Sequence, residues 1–170
     1  ISINAVILDP IKLTKGDIYI GSGVRIAHHA RIELISRYGK QRFHPSIIIG
    51  DNVTIEQRLH LTAAGNLIIG SNSTISLDVM IQDTDHVFSK LNVHLQDQEI
   101  KLSTTKIGNY CFIGAGSKIL AGTELGDNCI VGANSVVRGI FPDNSMLVGS
   151  PAKIIKKFNP SSGEWIKVNE

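Results

Sequence analysis

From residue 107 to 142 the apolar positions recur every sixth residue, a spacing that matches neither the 3.6-residue period of an amphipathic helix nor the alternation of a half-buried strand. The hexapeptides of IGNYCFIGAGSKILAGTELGDNCIVGANSVVRGIFP open on Ile107, Ile113, Ile119, Leu125, Val131 and Val137. Their fifth places are small: Cys111, Ser117, Thr123, Cys129 and Ser135. Such a sustained period marks a repeat architecture whose unit is one short strand and one turn. Three units close a triangular coil of about eighteen residues, and successive coils stack by parallel pairing roughly 4.8 Å apart. The opening branched residue then fills the interior from the middle of a wall, and the fifth points inward near a corner where little room is left. Glycine at the second place (Gly108, Gly114, Gly126, Gly132) suits either a positive φ or a close approach of two backbones.

The same phase runs back toward the start of the chain. It is loose at Ile7, Leu13 and Ile18, clear at Ile20, Ile26 and Ile32, and resumes with Ile49, Ile55 and Leu61. After a two-residue slip at Gly65 to Ile68 it continues through Ile69, Ile75 and Ile81. Two stretches leave it. Residues 37–48, RYGKQRFHPSII, predict a surface excursion. Residues 87–106 predict a longer projecting loop, and so long an excursion inside a tight repeat is usually functional. Beyond Phe158 the repeat stops. A solenoid end exposes unpaired backbone and apolar interior, so residues 159–170 are expected to form a cap in which Trp165 and Ile166 cover that end; a subunit contact and stacking on a sugar are the other uses open to Trp165. The expected organisation is an all-β parallel solenoid over residues 1–158 followed by a short capping tail.

Composition agrees with an aliphatic solenoid core: aromatic residues make up 5% and charged residues 19% of the chain. A formal net charge of +2 does not point to a nucleic-acid partner. No apolar run approaches the length of a membrane-spanning helix, and the opening ISINAVILDPIKL lacks the form of a signal peptide. Cys111 and Cys129 both occupy fifth places one coil apart and read as small corner fillers with free thiols.

The chemistry is concentrated where the repeat rule breaks, in IQDTDH, residues 81–86. Register puts Asp85 in a fifth place, where an unpaired inward carboxylate costs several kcal/mol, about 3–5 once a partner is lost. Either the coil opens here or Asp85 is held by partners, and rule-breaking of this kind is expected at functional sites. His86 follows at an outward place on the edge, next to the long excursion. An imidazole accepts a proton near neutrality, and an adjacent carboxylate fixes its tautomer and supports the imidazolium. Asp83 and Asp85 are both candidates for that support. His28, His29, His44, His60 and His94 lack a comparable setting.

IQDTDHVF, the projecting loop with HLQDQEI, the hexapeptides and VGSPAKIIKKF together resemble the hexapeptide-repeat acyltransferase family, specifically its bacterial sugar and polysaccharide O-acetyltransferases. The resemblance implies a left-handed parallel β-helix, the reverse of the usual crossover hand. It implies acetyl-CoA as acyl donor, no required metal, and a homotrimer with its active site between two solenoids. His86 then takes the place of the general base that frees a sugar hydroxyl for direct attack on the thioester. The backbone at Gly114 and Ala115 would polarise the thioester, that at Ala133 would meet the pantetheine arm, and Arg138 and Lys153 would meet the nucleotide phosphates. The chain departs from common family residues at Phe112, at Ser150 and at the Arg138-Gly139 pair, all on the cofactor side and none at the base.

Two other classes stay open on the same fold: an N-acetyltransferase acting on an amino-sugar nucleotide, and a scaffold or metal-binding solenoid. The metal reading needs three histidines converging across an interface, with a close pair on one coil, which the pairs here fit poorly. Dependence on acetyl-CoA implies a cytoplasmic protein, with partners as the route to any membrane assembly.

Overall fold

The computed structural model describes residues 1–168. Short parallel strands stack into three walls, one sheet of nine strands and two of six. In the first wall Ile55 pairs with Ile75, Ile75 with Ile113, Ile113 with Val131 and Val131 with Leu147. The second wall carries Leu13, Ile32, Leu61, Ile81, Ile119 and Val137 in register, and the third carries Ile20, Ile49, Ile69, Ile107, Leu125 and Phe141. These are the hexapeptide openers, and apart from Leu13 and Phe141, which are partly buried, those of the second and third walls are enclosed in one continuous core. Each fully buried Ile or Leu contributes about 1.5–3 kcal/mol of transfer free energy, so a single file of them down each wall is enough to drive the coiling.

Two of the three corners solve the turn in one way. The fourth residue of the hexapeptide takes the left-handed conformation, as in Asn52, Asn72 and Asn128 at the corner from third to first wall, and Arg58, Asp78 and Asn134 at the corner from first to second. Glycine at the second place serves close approach rather than positive φ: a Cβ on Gly108 would lie 2.5 Å from the Gly126 carbonyl oxygen of the next coil. The fifth residues are buried as expected. Ser117 Oγ donates to Gly132 O, Thr123 Oγ1 to Val137 O, and the free thiols of Cys111 and Cys129 to Gly126 O and Pro142 O.

Every departure from phase falls at one corner, between the second and third walls. The first excursion forms a two-stranded hairpin, Arg37–Tyr38 with Gln41–Arg42, and the chain rejoins the third wall at Ser46. One coil further on, the two-residue slip becomes the short turn at Ala64 and Gly65. After the next second-wall strand, the chain leaves the wall at Asp83, four residues before the expected Val87. It forms an antiparallel pair between Thr84–His86 and Ile100–Leu102, with a short 3-10 turn at Leu95–Asp97, and returns at Thr105–Ile107. At the far end Ser145–Gly149 is the last parallel strand of the first wall, and Ala152–Asn159 and Glu164–Lys167 extend that sheet as antiparallel strands. Trp165 meets Phe158 edge-on at 5.5 Å, and the tail is therefore a sheet extension; residues 169 and 170 of the expected cap lie outside the described residues. Among the described residues no helix is long and apolar enough to cross a membrane.

Candidate active site

The early exit from the second wall decides which acidic residue is buried. The expectation that Asp85 points into the interior is corrected: Asp83 is the buried carboxylate, 2% exposed, and Asp85 stands on the excursion. Asp83 turns its two oxygens onto the peptide N–H groups of Ala64 (2.9 Å) and Gly65 (2.7 Å) on the coil below. Burial pushes its carboxyl above the ordinary aspartate value, and the two amides pull the other way. Asp85 forms a bidentate pair with Arg138 two coils further on, both contacts at 2.8 Å, and this partner raises the pKa of Arg138. The sequence reading therefore placed Arg138 on the cofactor, whereas in the single chain it braces the start of the long excursion.

His86 is exposed and makes no hydrogen bond to either aspartate among the described residues. Its Nδ1 instead faces the hydroxyl of Tyr38 on the first excursion at 3.4 Å, with the two rings edge-on and their centroids 5.6 Å apart. Beside this pair lies a cavity of about 590 Å³ whose walls come from both excursions, including Tyr38, Gln41, Val87, Lys90, Gln98 and Glu99. Gln98 shapes the long loop from within, accepting from Lys90 N and donating to Lys90 O and Val93 O. His94 caps the 3-10 turn by accepting from Gln96 N.

Gly114, Ala115 and Ala133 lie at a different corner, from first to second wall. Gly114 N–H is used by Val131 O, and a Cβ there would lie 2.6 Å from Ala133 N, so the position is closed to any side chain. Ala115 O accepts from Asn134 N, but among the described residues nothing accepts the N–H of Ala115 or of Ala133. The corner from third to first wall is different: Asp51, Ser71, Asn109, Asp127 and Asp143 each accept the corresponding N–H of the preceding coil, at 2.7–3.0 Å. Backbone donors left open at a corner suit a ligand carbonyl, because they are fixed before it arrives. Lys153 stands on the strand after this corner, exposed and opposite Val148. Among the described residues no group of three or more His, Cys, Asp or Glu could hold a metal ion.

Sequence reasoning missed Tyr38 and Gln41. The signal was available in the phase, since the interruptions between Ile32 and Ile49 and between Ile81 and Ile107 both fall between a second and a third wall.

Residues 104–139 match the family described as bacterial transferase hexapeptide (six repeats). The chain is 34% identical over 128 residues to WbbJ of Escherichia coli K12, assigned as a lipopolysaccharide biosynthesis O-acetyl transferase; the match covers 71% of this chain and 65% of WbbJ. It is 33% identical over 165 residues to a Mycobacterium tuberculosis protein assigned as an acetyltransferase, covering 87% of this chain and 52% of that protein. The chain thus spans about half to two thirds of the length of these relatives. Among solved structures, the Bacillus cereus N-acyltransferase AntD, in complex with dTDP and 3-hydroxybutyryl-CoA, superposes with a TM-score of 0.67 at 20% identity over 91% of this chain and 85% of AntD. A galactoside acetyltransferase in complex with coenzyme A gives 0.53 at 22% identity over 96% of this chain and 72% of that one. At such identities the superpositions establish the fold, a left-handed parallel β-helix. With the six-residue phase, the three-walled coil and these matches together, the chain belongs to the hexapeptide-repeat transferase family.

Proposed function

We propose that this protein is an acetyl-CoA-dependent O-acetyltransferase acting on a sugar hydroxyl, with His86 as general base. The observation that carries the reading is the exposed imidazole of His86 against Tyr38, which with Val87 lines a cavity built from the two excursions. The similarity to WbbJ supports a hydroxyl of a surface polysaccharide or its precursor as acceptor. In this reading His86 takes the hydroxyl proton, the oxygen forms its bond to the acetyl carbon, the carbon–sulfur bond breaks, and the imidazolium returns the proton to the departing thiolate. The N–H of Ala115 is a fixed donor for the charge that develops on the carbonyl oxygen, and that of Ala133 serves the pantetheine arm further along. Arg138 and Lys153 remain the candidates for the nucleotide phosphates, with Arg138 shared between Asp85 and the ligand.

The base and the open amides sit on different corners of the prism, a wall's width apart, roughly 15 Å for five residues of strand. One chain cannot bring them to the same carbon. This supports a homotrimer in which the excursion corner of one copy faces the open-amide corner of the next. A supply of acetyl-CoA places the reaction on the cytoplasmic side.

The test is acetyl-CoA-dependent thiol release against sugars, nucleotide sugars and amino sugars, with His86→Ala beside the parent. Loss of about 10²–10⁴-fold in a folded, trimeric mutant with a hydroxyl acceptor is the expected outcome. Unchanged release removes His86 from the mechanism, and activity confined to amino sugars replaces the hydroxyl acceptor with an amine.

A further inference from the structure

Neither aspartate of the DTDH segment is available to the imidazole beside it. Both oxygens of Asp83 are taken by the Ala64 and Gly65 amides, and both oxygens of Asp85 by the Arg138 guanidinium. The side chain that meets His86 is Tyr38, delivered by a separate excursion from an earlier coil. We infer that Tyr38 is the positioning residue for His86: its phenol oxygen accepts a hydrogen bond from Nδ1–H and leaves Nε2 as the basic nitrogen. The inference rests on the reading of His86 as the base.

Three features of the fold make this contact a built one. Tyr38 pairs with Gln41 across the tip of its hairpin, so the two side chains are set by one turn. Gln41 donates its Nε2 to Ile100 O at 3.0 Å and accepts from Ile100 N at 2.8 Å, satisfying a buried residue with the geometry of a strand partner. Ile100 is the residue directly opposite His86 in the antiparallel pair of the long excursion. The hairpin thus grips the strand facing the histidine at one end and touches the histidine ring at the other. The Asp85–Arg138 pair holds the histidine's own strand from the following coils, so His86 is fixed between two anchors drawn from coils on either side of its own.

The tautomer matters because a neutral imidazole has one donor and one acceptor nitrogen. A hydroxyl can play either part, but only its oxygen lone pair fixes the proton on Nδ1. That same oxygen stays a partner when Nε2 is protonated, since Nδ1 then still donates. At 3.4 Å the contact is at the long end of hydrogen-bonding distance, and contacts of catalytic groups commonly tighten when substrate is bound.

The experiment uses Tyr38→Phe in the full chain, which keeps the ring edge against His86 and removes only the hydroxyl. Two quantities are read: the tautomer of His86 from the nitrogen chemical shifts of the ring in its neutral form, and kcat and KM for acetyl transfer. The expected result is a shift from Nδ1–H toward Nε2–H, with kcat down by about tenfold, the scale of one hydrogen bond, and KM for the acceptor within about twofold. Gln41→Ala, which loosens the hairpin without touching the imidazole, is expected to move both quantities in the same direction by less. A parental tautomer in Tyr38→Phe overturns the inference whatever the rate does, and so does a parental kcat. His86→Ala, measured beside them, separates this from failure of the base itself: full activity there sinks the base reading, whereas a dead His86→Ala beside a fully active Tyr38→Phe sinks only the part given to Tyr38.

Discussion

Two corners of the prism have the same backbone turn and opposite fittings. Where the third wall meets the first, the third-place N–H groups of Ser22, Asp51, Ser71, Asn109 and Asp127 are each closed by a side chain from the next coil. Where the first wall meets the second, the same place in successive coils is held by Gln57, Leu77, Ala115 and Ala133, and among the described residues no side chain closes the N–H of Leu77 or Ala115. The fourth-place residues are left-handed at both corners, so the difference is not in the fold of the turn. It is in whether the chain supplies its own acceptor. A closed corner spends its donors on stability, and an open one keeps them for a ligand.

The sharpest way to break this comparison is at the closed corner. Asp127→Ala removes the acceptor of Asn109 N (2.7 Å) and of Asn109 Nδ2 (3.2 Å), in a partly buried setting. A loss of about 1–2 kcal/mol is expected in chemical denaturation at fixed protein concentration, with turnover per folded molecule retained. A loss below about 0.5 kcal/mol, the scale of an ordinary surface change, means that water serves these amides as well as the ladder does.

The converse change closes the open corner. Ala133 stands to Ala115 as Asn109 stands to Ser71, in the third place of the next coil, and Asn109 Oδ1 accepts Ser71 N at 2.9 Å. Ala133→Asn therefore supplies the missing neutral cap, and Ala133 is exposed enough to accept the larger side chain. Stability is expected to rise by about 0.5–1 kcal/mol, the net worth of one hydrogen bond, while acetyl transfer and coenzyme A binding fall because the Ala115 donor is occupied. A stabilised protein with parental transfer means that the Ala115 amide takes no part.

The sequence made the walls legible because the opener and the fifth residue of each six point inward, and any charged or polar opener would cost the whole coil. The corners were harder to read. Glycine at Gly108 was consistent with two physical demands, and only the 2.5 Å approach of Gly126 O distinguishes them. Asp83 and Asp85 were interchangeable while the register of the wall was assumed to run on through Asp85. The exit of the chain two residues earlier reverses their roles, and it depends on the Ala64 and Gly65 amides offered by another coil. Tyr38 lay outside the reading of the candidate site because its link to His86 spans 48 positions and follows from stacking, not from any local pattern. The excursions that carry the candidate chemistry are the segments without a repeat to extrapolate.

The smallest effect expected is at a carboxylate away from the corners. Glu33, on the outer face of the second wall, accepts from Lys12 and from Arg31, which hold its carboxyl below the ordinary range against a modest cost of burial. A carboxyl lowered in the folded state stabilises at pH above its unfolded value, ~4.3, and that contribution fades as pH falls through the folded value. Glu33→Gln is thus expected to cost under about 1 kcal/mol near pH 7, discounted for solvent screening, and to cost progressively less below about pH 4 as the parent side chain itself becomes neutral. Denaturation midpoints of the two proteins at pH 7 and pH 3 check this, and added salt is expected to narrow the gap at pH 7. A gap that persists at pH 3 would assign the effect of Glu33 to packing of its side chain. A gap that closes with acid would set Glu33 apart from the neutral acceptors of the ladder, Ser71 and Asn109, which carry no charge to lose, and group it with the ladder's carboxylates Asp51, Asp127 and Asp143.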